Sequence, residues 1–357
     1  MKEDLYLEDI NNTIKSTKDI ESIKDKTIFI TGSNGLIGSY LIDTIMYLND
    51  KYNFNTTVVA NSRSYDKLEK KYSKYLDSDN FKYYIGDINS EIKYDDKVDY
   101  IINCASNTHP VQYATDPIGT IMTNIEGTSN VLNFATKSNA KKTIFLSSVE
   151  IYGENINNID RFKENEMGYI NCNSLRAGYN EAKRAGETLC QAYIESKGID
   201  VSIVRLARIY GPTVKKDDSK ALSQFINKAI NHEDIVLKSE GNQYFSYLYV
   251  ADAVSGILRT MIAGKKGEAY NLANIDSDVR LKDLAKIIAN IVGTNVIFDL
   301  PSEVERKGYS KATIARLDYS KAENELDWHP MYGINKGLEN TITLLSNEKE
   351  MKLIKKQ

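Results

Sequence analysis

Two spacings of apolar residues divide the first 150 positions of this chain. Short runs rich in Ile, Val and Phe have the length of buried strands, and the stretches between them carry apolar residues three or four positions apart, as amphipathic helices do. The predicted strands are 27–30, 56–60, 81–88, 98–106 and 142–148, and helices are predicted at 39–48, 117–137 and 178–197. Because strands and helices alternate, we predict a doubly wound α/β fold (Rossmann), with a parallel sheet covered on both faces.

The first 24 residues precede this pattern. Their apolar residues recur at roughly helical spacing, at Leu5, Leu7, Ile10, Ile14, Ile20 and Ile23. We therefore predict one or two short helices that pack on the sheet domain.

A glycine-rich turn joins the first strand to the first helix. Glycine permits the backbone angles of a tight turn and lets a pyrophosphate approach the main chain, and the N–H groups of the following helix point at the phosphates. The turn therefore predicts a dinucleotide site. Its residues are Gly32, Ser33, Asn34, Gly35, Leu36, Ile37 and Gly38.

The end of the second strand should meet the adenosine ribose of that dinucleotide. Many NAD enzymes have Asp or Glu there, but this chain has Asn61, Ser62 and Arg63. Because an arginine suits the 2′-phosphate of NADP, Arg63 tilts the prediction toward NADP and leaves NAD open. At the end of the fourth strand, the small side chains of Ala105 and Ser106 leave room for the cofactor.

Three residues further along the chain suit the oxidation of an alcohol. Ser148 ends the fifth strand, and Tyr179 and Lys183 are four apart, so they share one face of a helix. A neighbouring lysine is expected to lower the pKa of the tyrosine, which then takes the alcohol proton as a general base while hydride leaves. Ser148 holds the same substrate oxygen, and Glu150 is a candidate base for a later step.

Composition narrows the function classes. The net charge of −3 gives no sign of a nucleic-acid partner. No apolar run approaches the ~20 residues of a membrane span, and the polar N-terminus lacks a signal-peptide core. The 3 cysteines and 3 histidines have neither metal nor disulfide spacing. We expect a cytoplasmic, metal-free protein.

Taken together, these motifs resemble the extended short-chain dehydrogenases/reductases, in their group of nucleotide-sugar epimerases, dehydratases and decarboxylases. The resemblance continues at 205–212, 249–253, 268–272, 316–318 and 326–330. It implies that Ser148, Tyr179 and Lys183 are catalytic, that Lys183 also touches the cofactor, and that Asp87, followed by Ile88, contacts the adenine.

The resemblance also implies a division of the chain. A helical extension at 1–24 would precede a dinucleotide-binding domain formed by 25–213 and 244–272. A smaller substrate lobe would come from 214–243 and 273–345, followed by a tail at 346–357. The helices at 117–137 and 178–197 would pair with those of a second copy, as a four-helix bundle in a homodimer.

Members of this group first oxidise a sugar hydroxyl to a ketone, and few residues decide the fate of that ketone. Sugar 4,6-dehydratases commonly carry Asp-Glu after the catalytic hydroxyl residue, whereas this chain has Val149 and Glu150. UDP-glucuronate decarboxylases keep the Glu and have an arginine where Arg176 stands, and arginine suits a substrate carboxylate. The resemblance thus favours decarboxylation through a 4-keto intermediate, with 4-epimerisation and 4,6-dehydration left open.

Two positions depart from the group. Arg208 stands where a substrate-facing Asn is usual, and Phe245 stands where an arginine usually binds the diphosphate. Either Arg208, Arg316 or Lys220 supplies that charge, or the substrate is not an ordinary nucleotide sugar. Two further hypotheses stay open: a reductase that consumes NADPH, and an inactive nucleotide-binding regulatory protein.

Overall fold

A seven-stranded parallel sheet forms the centre of the protein. The structure is a computed structural model that describes residues 2–106, 115–300 and 314–354. The strands are β1 Thr27–Thr31, β2 Thr57–Ser62, β3 Phe81–Ile85, β4 Tyr100–Asn103, β5 Lys142–Ser148, β6 Val201–Leu206, β7 Arg208–Tyr210, β8 Ile235–Leu237, β9 Tyr244–Tyr249, β10 Ala269–Leu272, β11 Asp278–Arg280, β12 Val296–Phe298 and β13 Ile314–Ala315. The order in the large sheet is β10-β6-β5-β4-β1-β2-β3, so the strand order reverses between β1 and β4. The predicted fold class is confirmed.

Helices cover both faces of this sheet. They are α1 Lys2–Ser16, α2 Leu36–Tyr52, α3 Tyr65–Tyr72, α4 Pro117–Ser138, α5 Ala177–Lys197, α6 Ala221–Ala229, α7 Val250–Ala263, α8 Leu281–Val292, α9 Ser320–Leu326 and α10 Ile334–Ile354. Short 3-10 turns occur as well, among them Val149–Tyr152 after β5.

The side chains of β1 show why the sheet needs two helical layers. Ile28, Phe29 and Ile30 are all fully buried. Ile28 and Ile30 belong to one hydrophobic cluster, whereas Phe29 belongs to another and packs 4.9 Å from the ring of Phe134 on α4. Because successive strand residues point to opposite faces, this division places β1 between two cores.

The largest differences between the predicted strands and the structure are at the ends of β3 and β4, and β1 and β2 differ by one or two residues. β3 and β4 end at Ile85 and Asn103, earlier than predicted, whereas β5 covers the predicted range. The predicted strict alternation is wrong between β3 and β4, because residues 86–99 contain no helix.

The lobe beyond the large sheet is built from short elements. β7, β11 and β13 each pair with β9, and β8 pairs with β12. Helices α6 and α8 pack on each other beside them, whereas α9 contacts β10 and α7, and α10 contacts α1. The predicted division of the chain stays a prediction: α9 packs on the sheet domain, whereas α10 contacts both α1 and the lobe elements β9 and α8.

The N-terminal helix α1 packs on α2, α7 and α10. Asp9 is fully buried in this contact, where its carboxylate accepts hydrogen bonds from Tyr249, Tyr332 and Asn340 at 2.5, 2.8 and 2.9 Å. The extension is thereby tied to two distant segments of the chain. Among the described residues, no helix is both long and apolar enough for a membrane span.

Candidate active site

The glycine turn between β1 and α2 is too tight for side chains. A Cβ on Gly32, which has a φ of 63°, would lie 2.8 Å from backbone atoms of Cys104 and Ala105. A Cβ on Gly38 would lie 2.6 Å from the Gly32 carbonyl oxygen. Gly35 donates its N–H to that same oxygen at 2.9 Å, and α2 begins one residue later. The bare backbone and helix start form a cradle that fits a pyrophosphate.

The outer side of this turn is fixed to the end of β2. Ser33 donates to the Asn61 carbonyl at 2.7 Å, and Asn34 donates to Ser62 at 2.8 Å. The Asn34 carboxamide oxygen is buried and has no partner among the described residues. Arg63 follows immediately after Ser62 and is exposed. The end of β2, where the ribose is predicted to bind, is therefore adjacent to the turn. The buried Asn34 oxygen is an acceptor that a ligand hydroxyl can satisfy.

The remaining predicted cofactor residues follow β3 and β4. Asp87 is half-buried, and one of its carboxylate oxygens accepts the N–H of Asn89. Ile88 is buried. After β4, the N–H of Ala105 donates to Thr31 at 3.1 Å. Ala105 therefore lies where the strand order reverses, between β4 and β1, whereas Asp87 and Ile88 follow the outermost strand β3. The cofactor roles of all three stay predictions.

Ser106 links the predicted cofactor residues to the predicted catalytic tyrosine, Tyr179. Its hydroxyl donates to the side chain of Asn124 at 2.9 Å, and Asn124 is buried in α4. Ser106 also hydrogen-bonds Tyr179. No role for Asn124 is predicted from the sequence, because a helical asparagine carries no local signal that its partner lies after another strand.

Tyr179 lies buried at the start of α5, in reach of both predicted serines. Burial raises the pKa of Tyr179 to about 12, the charge of Glu150 adds to the rise, and hydrogen bonds with Ser148 and Ser106 act in the opposite direction. The pKa of Tyr179 is therefore raised in this structure rather than lowered, and Lys183 is not among the groups that mainly set it. The spatial grouping of Ser148 with Tyr179 is the one predicted from the sequence.

Lys183 lies one helical turn beyond Tyr179 in α5. Its ammonium donates to the Leu146 carbonyl at 2.8 Å and lies 5.9 Å from the centroid of the Tyr179 ring. Burial lowers the pKa of Lys183 to about 8. The Lys183 amine is therefore a buried group with a lowered pKa, near the Tyr179 ring and hydrogen-bonded to the main chain of β5.

Glu150 contacts Arg208, and Arg208 in turn stacks on Phe245, the other position that departs from the resembled group. The carboxylate of Glu150 accepts a hydrogen bond from the Arg208 guanidinium at 2.9 Å. That guanidinium lies over the ring of Phe245, 3.9 Å from its centroid. Arg208 and Phe245 are therefore partners in space, a relation that could not be read from their separation in the sequence.

The other two predicted substrate arginines differ from Arg208. Arg176 is exposed at the start of α5, three residues before Tyr179. Arg316 has a largely buried side chain that pairs with Asp160, lies 4.0 Å from Asp278 and stacks over Tyr244. The positive charge of Arg316 is thus already compensated by the carboxylates of Asp160 and Asp278. Substrate roles for both arginines stay predictions.

The described part of the chain has no cluster of His, Cys, Asp or Glu that suits a metal ion. Cys104, Cys172 and Cys190 are all free thiols. The groups that the site offers for chemistry are therefore the serine, tyrosine, lysine, glutamate and arginine side chains above, together with a cradle for a dinucleotide.

Known proteins match this chain over most of its length. Residues 28–273 match the family model of the NAD dependent epimerase/dehydratase family. The chain is 28% identical over 315 residues to UDP-glucuronic acid decarboxylase 2 of Arabidopsis thaliana, across 88% of this chain and 67% of that protein. It is 30% identical over 318 residues to UDP-glucuronic acid decarboxylase 6 of the same plant, across 87% and 86%.

The fold also matches a solved structure, the UDP-glucuronic acid 4-epimerase of Bacillus cereus in complex with UDP-glucuronic acid and NAD. The TM-score is 0.76 and the identity 20%, over 90% of this chain and 99% of the epimerase.

Proposed function

Because this chain belongs to the NAD dependent epimerase/dehydratase family, we propose that it is a nucleotide-sugar decarboxylase acting through a 4-keto intermediate. Its substrate would be a UDP-linked sugar acid, as the names of its relatives suggest. The observation that carries this proposal is the buried Tyr179 hydroxyl, hydrogen-bonded by Ser148 beside the Glu150–Arg208 pair.

The dinucleotide would lie against the glycine turn and the switch point of the sheet. Gly32, Gly35 and Gly38 leave the cradle open, and Ser106 lies between that cradle and Tyr179. Bound NAD would supply the hydride acceptor and a positive charge beside the buried phenol. That charge acts against the effect of burial on the Tyr179 pKa.

The chain's own residues account for the proton transfers at the sugar oxygen, and the proton taken at carbon after CO2 leaves comes from solvent. Ser148 holds the sugar hydroxyl, and Tyr179 accepts its proton as the carbon is oxidised to a ketone. The ketone is then β to the sugar carboxylate. When the bond to that carboxylate breaks, CO2 leaves and its electron pair moves into the ketone, giving an enolate that takes a proton at carbon. Tyr179 returns its proton when the ketone is reduced again, so the cofactor is not consumed.

Decarboxylation agrees better with this site than dehydration does. A dehydratase must protonate a leaving hydroxyl, and the position before Glu150 is the buried, apolar Val149. The side chains of Arg176 and Arg208 also supply positive charge for the carboxylate of an acidic sugar. Epimerisation, dehydration, net reduction and an inactive regulatory protein each predict a different outcome when the protein is given substrate.

The test is to incubate the protein with UDP-glucuronic acid and NAD and to identify the product by mass spectrometry and NMR. We expect a UDP-pentose, lighter than the substrate by CO2. An unchanged mass with an inverted carbon would instead show an epimerase, loss of water a dehydratase, and stoichiometric oxidation of NADPH a reductase. A bound but unchanged substrate would indicate a regulatory protein.

Tyr179→Phe is the matched variant for this assay. The ring still fills its buried space, but the proton acceptor is gone, so the rate should fall by ~10²–10⁴-fold while folding and NAD binding are retained. Full activity of Tyr179→Phe would refute the assignment of the site.

We also propose that the protein prefers NADP to NAD. This proposal rests on Arg63, which is exposed where β2 ends beside Asn34 and Ser62. Arg63→Ala should weaken NADP more than NAD in calorimetric titrations. Equal losses for the two dinucleotides would remove Arg63 from cofactor selection.

A homodimer is also part of the proposal. Helices α4 and α5 pack side by side, and a shallow groove between them is lined by apolar side chains that include Ile125, Ala185 and Leu189. Leu189→Glu should convert the dimer into a monomer in analytical ultracentrifugation. If the unaltered protein is already monomeric, this part is wrong. The cytoplasmic location stays a prediction from the sequence.

A further inference from the structure

We infer that Arg208 selects substrates with an acidic sugar, because it neutralises Glu150 and offers its remaining N–H groups to the substrate carboxylate. The inference rests on the proposed function for the identity of the ligand. It assigns the carboxylate to Arg208 rather than to Arg176.

The position of Arg208 places its charge next to the reacting end of the sugar. Glu150 is two residues beyond Ser148 and donates its backbone N–H to the Ser148 hydroxyl oxygen at 3.2 Å. The charge of Glu150 is also felt at the Tyr179 hydroxyl. A guanidinium 2.9 Å from the Glu150 carboxylate is therefore beside the serine and tyrosine that hold the oxidised carbon.

The neighbouring strand holds the guanidinium in this place. Arg208 begins β7 opposite Tyr247 of β9, and Phe245 is two residues earlier on β9, on the same face of that strand. The guanidinium carbon lies 3.9 Å from the centroid of the Phe245 ring, and this cation–π contact helps to hold the charge in place beside Glu150.

Arg208 has capacity left after pairing with Glu150. The two side chains share a single hydrogen bond rather than the two of a fork, and each is about one-third exposed, at 31% and 32%. The Arg208 Nε is buried without a partner among the described residues. A guanidinium that donates one N–H to Glu150 can donate its other N–H groups to a second carboxylate. A substrate carboxylate that receives two such hydrogen bonds would compete well with Glu150.

The other cations near the lobe are less suited to this role. Arg316 resembles Arg208 in pairing with a carboxylate, stacking on a ring and having a buried Nε without a partner among the described residues. Its side chain is only 12% exposed, against 31% for Arg208, and a second carboxylate, that of Asp278, lies 4.0 Å from it. Lys183 donates to the Leu146 carbonyl. Arg176 is exposed at the start of its helix, where solvent screens its charge.

The electrostatic consequence has a definite sign. Without Arg208, a substrate carboxylate would meet the uncompensated charge of Glu150, and two like charges at short range repel strongly in a partly buried site. Binding of a neutral sugar would not suffer this repulsion. Arg208 should therefore change the preference between acidic and neutral sugars more than it changes binding of the nucleotide.

The experiment measures binding by calorimetry to the NAD-loaded protein, with UDP-glucuronic acid, UDP-glucose and UDP as ligands. Arg208→Gln should weaken UDP-glucuronic acid by roughly 10- to 100-fold, as expected for one charged hydrogen bond, and change UDP-glucose and UDP by less than about 3-fold. Glu150→Gln should tighten UDP-glucuronic acid, and the double variant should recover part of the loss caused by Arg208→Gln.

Two controls complete the experiment. Arg280→Gln removes an exposed arginine that stacks on Tyr244 of the same strand β9, and it should leave the preference for the acidic sugar unchanged. Arg176→Gln tests the competing assignment. Circular dichroism of each variant establishes that it is folded, and Glu150→Gln decides the matter if Arg208→Gln does not fold.

Several results would overturn the inference. Equal losses for all three ligands in Arg208→Gln would assign Arg208 to the diphosphate. Unchanged binding of all three would remove it from the substrate site, and loss of acid preference in Arg176→Gln alone would assign the carboxylate to Arg176. Because these are binding measurements, they can support the role of Arg208 even when the product assay finds no decarboxylation.

Discussion

Replacing the buried lysine of helix α5 should make the protein more stable. Lys183 is only 3% exposed, and burial lowers its pKa from 10.5 to about 8. At about 1.4 kcal/mol for each pKa unit, the cost of keeping this amine charged in the folded protein at pH 7 is about 3 kcal/mol. Lys183→Met removes that cost with an unbranched apolar side chain.

Part of this gain is lost elsewhere. The Leu146 carbonyl loses its donor, which costs about 1 kcal/mol, so the net gain in unfolding free energy at pH 7 should be about 2 kcal/mol. The folded pKa of Lys183 lies below its unfolded value. The unaltered protein should therefore gain stability as the pH rises from about 8 to 10.5, whereas Lys183→Met should not show this gain.

The assay is urea unfolding of both proteins without cofactor, followed by circular dichroism at several pH values between 7 and 10.5. The difference between the two proteins should be largest at pH 7 and shrink as the pH rises. Lys137→Met, which removes an exposed lysine near the end of α4, is the control and should change little. A Lys183→Met protein that is less stable than the original by the same amount at every pH would refute this reasoning.

Two further predictions concern the turn and the extension. Gly38→Ala should abolish NAD binding in calorimetry, because its Cβ would lie 2.6 Å from the Gly32 oxygen, whereas Gly333→Ala, with nothing within 4 Å, should bind normally; normal binding by Gly38→Ala would show that the turn does not hold the cofactor. Asp9→Asn removes one acceptor oxygen of a buried carboxylate that receives three side-chain hydrogen bonds and should cost about 1–3 kcal/mol in urea unfolding. An unchanged midpoint would contradict the view that Asp9 ties the extension to the rest of the chain.

Most strands of the sheet are predictable from the sequence because they are buried on both faces and contain a short apolar run. In β5 that run is 144–146, and the predicted range agrees with Lys142–Ser148 residue for residue. The ends of β3 and β4 are less predictable, and β3 is an edge strand with several exposed side chains. Pairing with the neighbouring strands stops at Ile85 and Asn103, and that pairing is a property of the whole sheet.

The grouping of Ser148 with Tyr179 is predictable for a similar reason. A serine at the end of a central strand and a tyrosine at the start of the next helix come to the same edge of a parallel sheet. Lys183 illustrates the limit. Its place in the sequence predicts its proximity to Tyr179, but the direction of the Tyr179 pKa depends on burial, which outweighs the hydrogen bonds.

The contact between Arg208 and Phe245 could not be predicted. In the sequence each is a separate departure from the resembled group, and only the parallel pairing of β7 with β9 brings them together over Glu150. The two departures from the resembled group, Arg208 and Phe245, thus lie in a single contact beside Glu150.

The most direct test of the central claim uses UDP-glucuronic acid labelled with ¹³C at its carboxyl carbon and an amount of NAD well below that of the substrate. If the chain oxidises, decarboxylates and reduces in one cycle, labelled CO2 should exceed the NAD supplied, and the nicotinamide should end in its oxidised form. Release of no labelled CO2, with NAD bound and the substrate intact, would contradict the account.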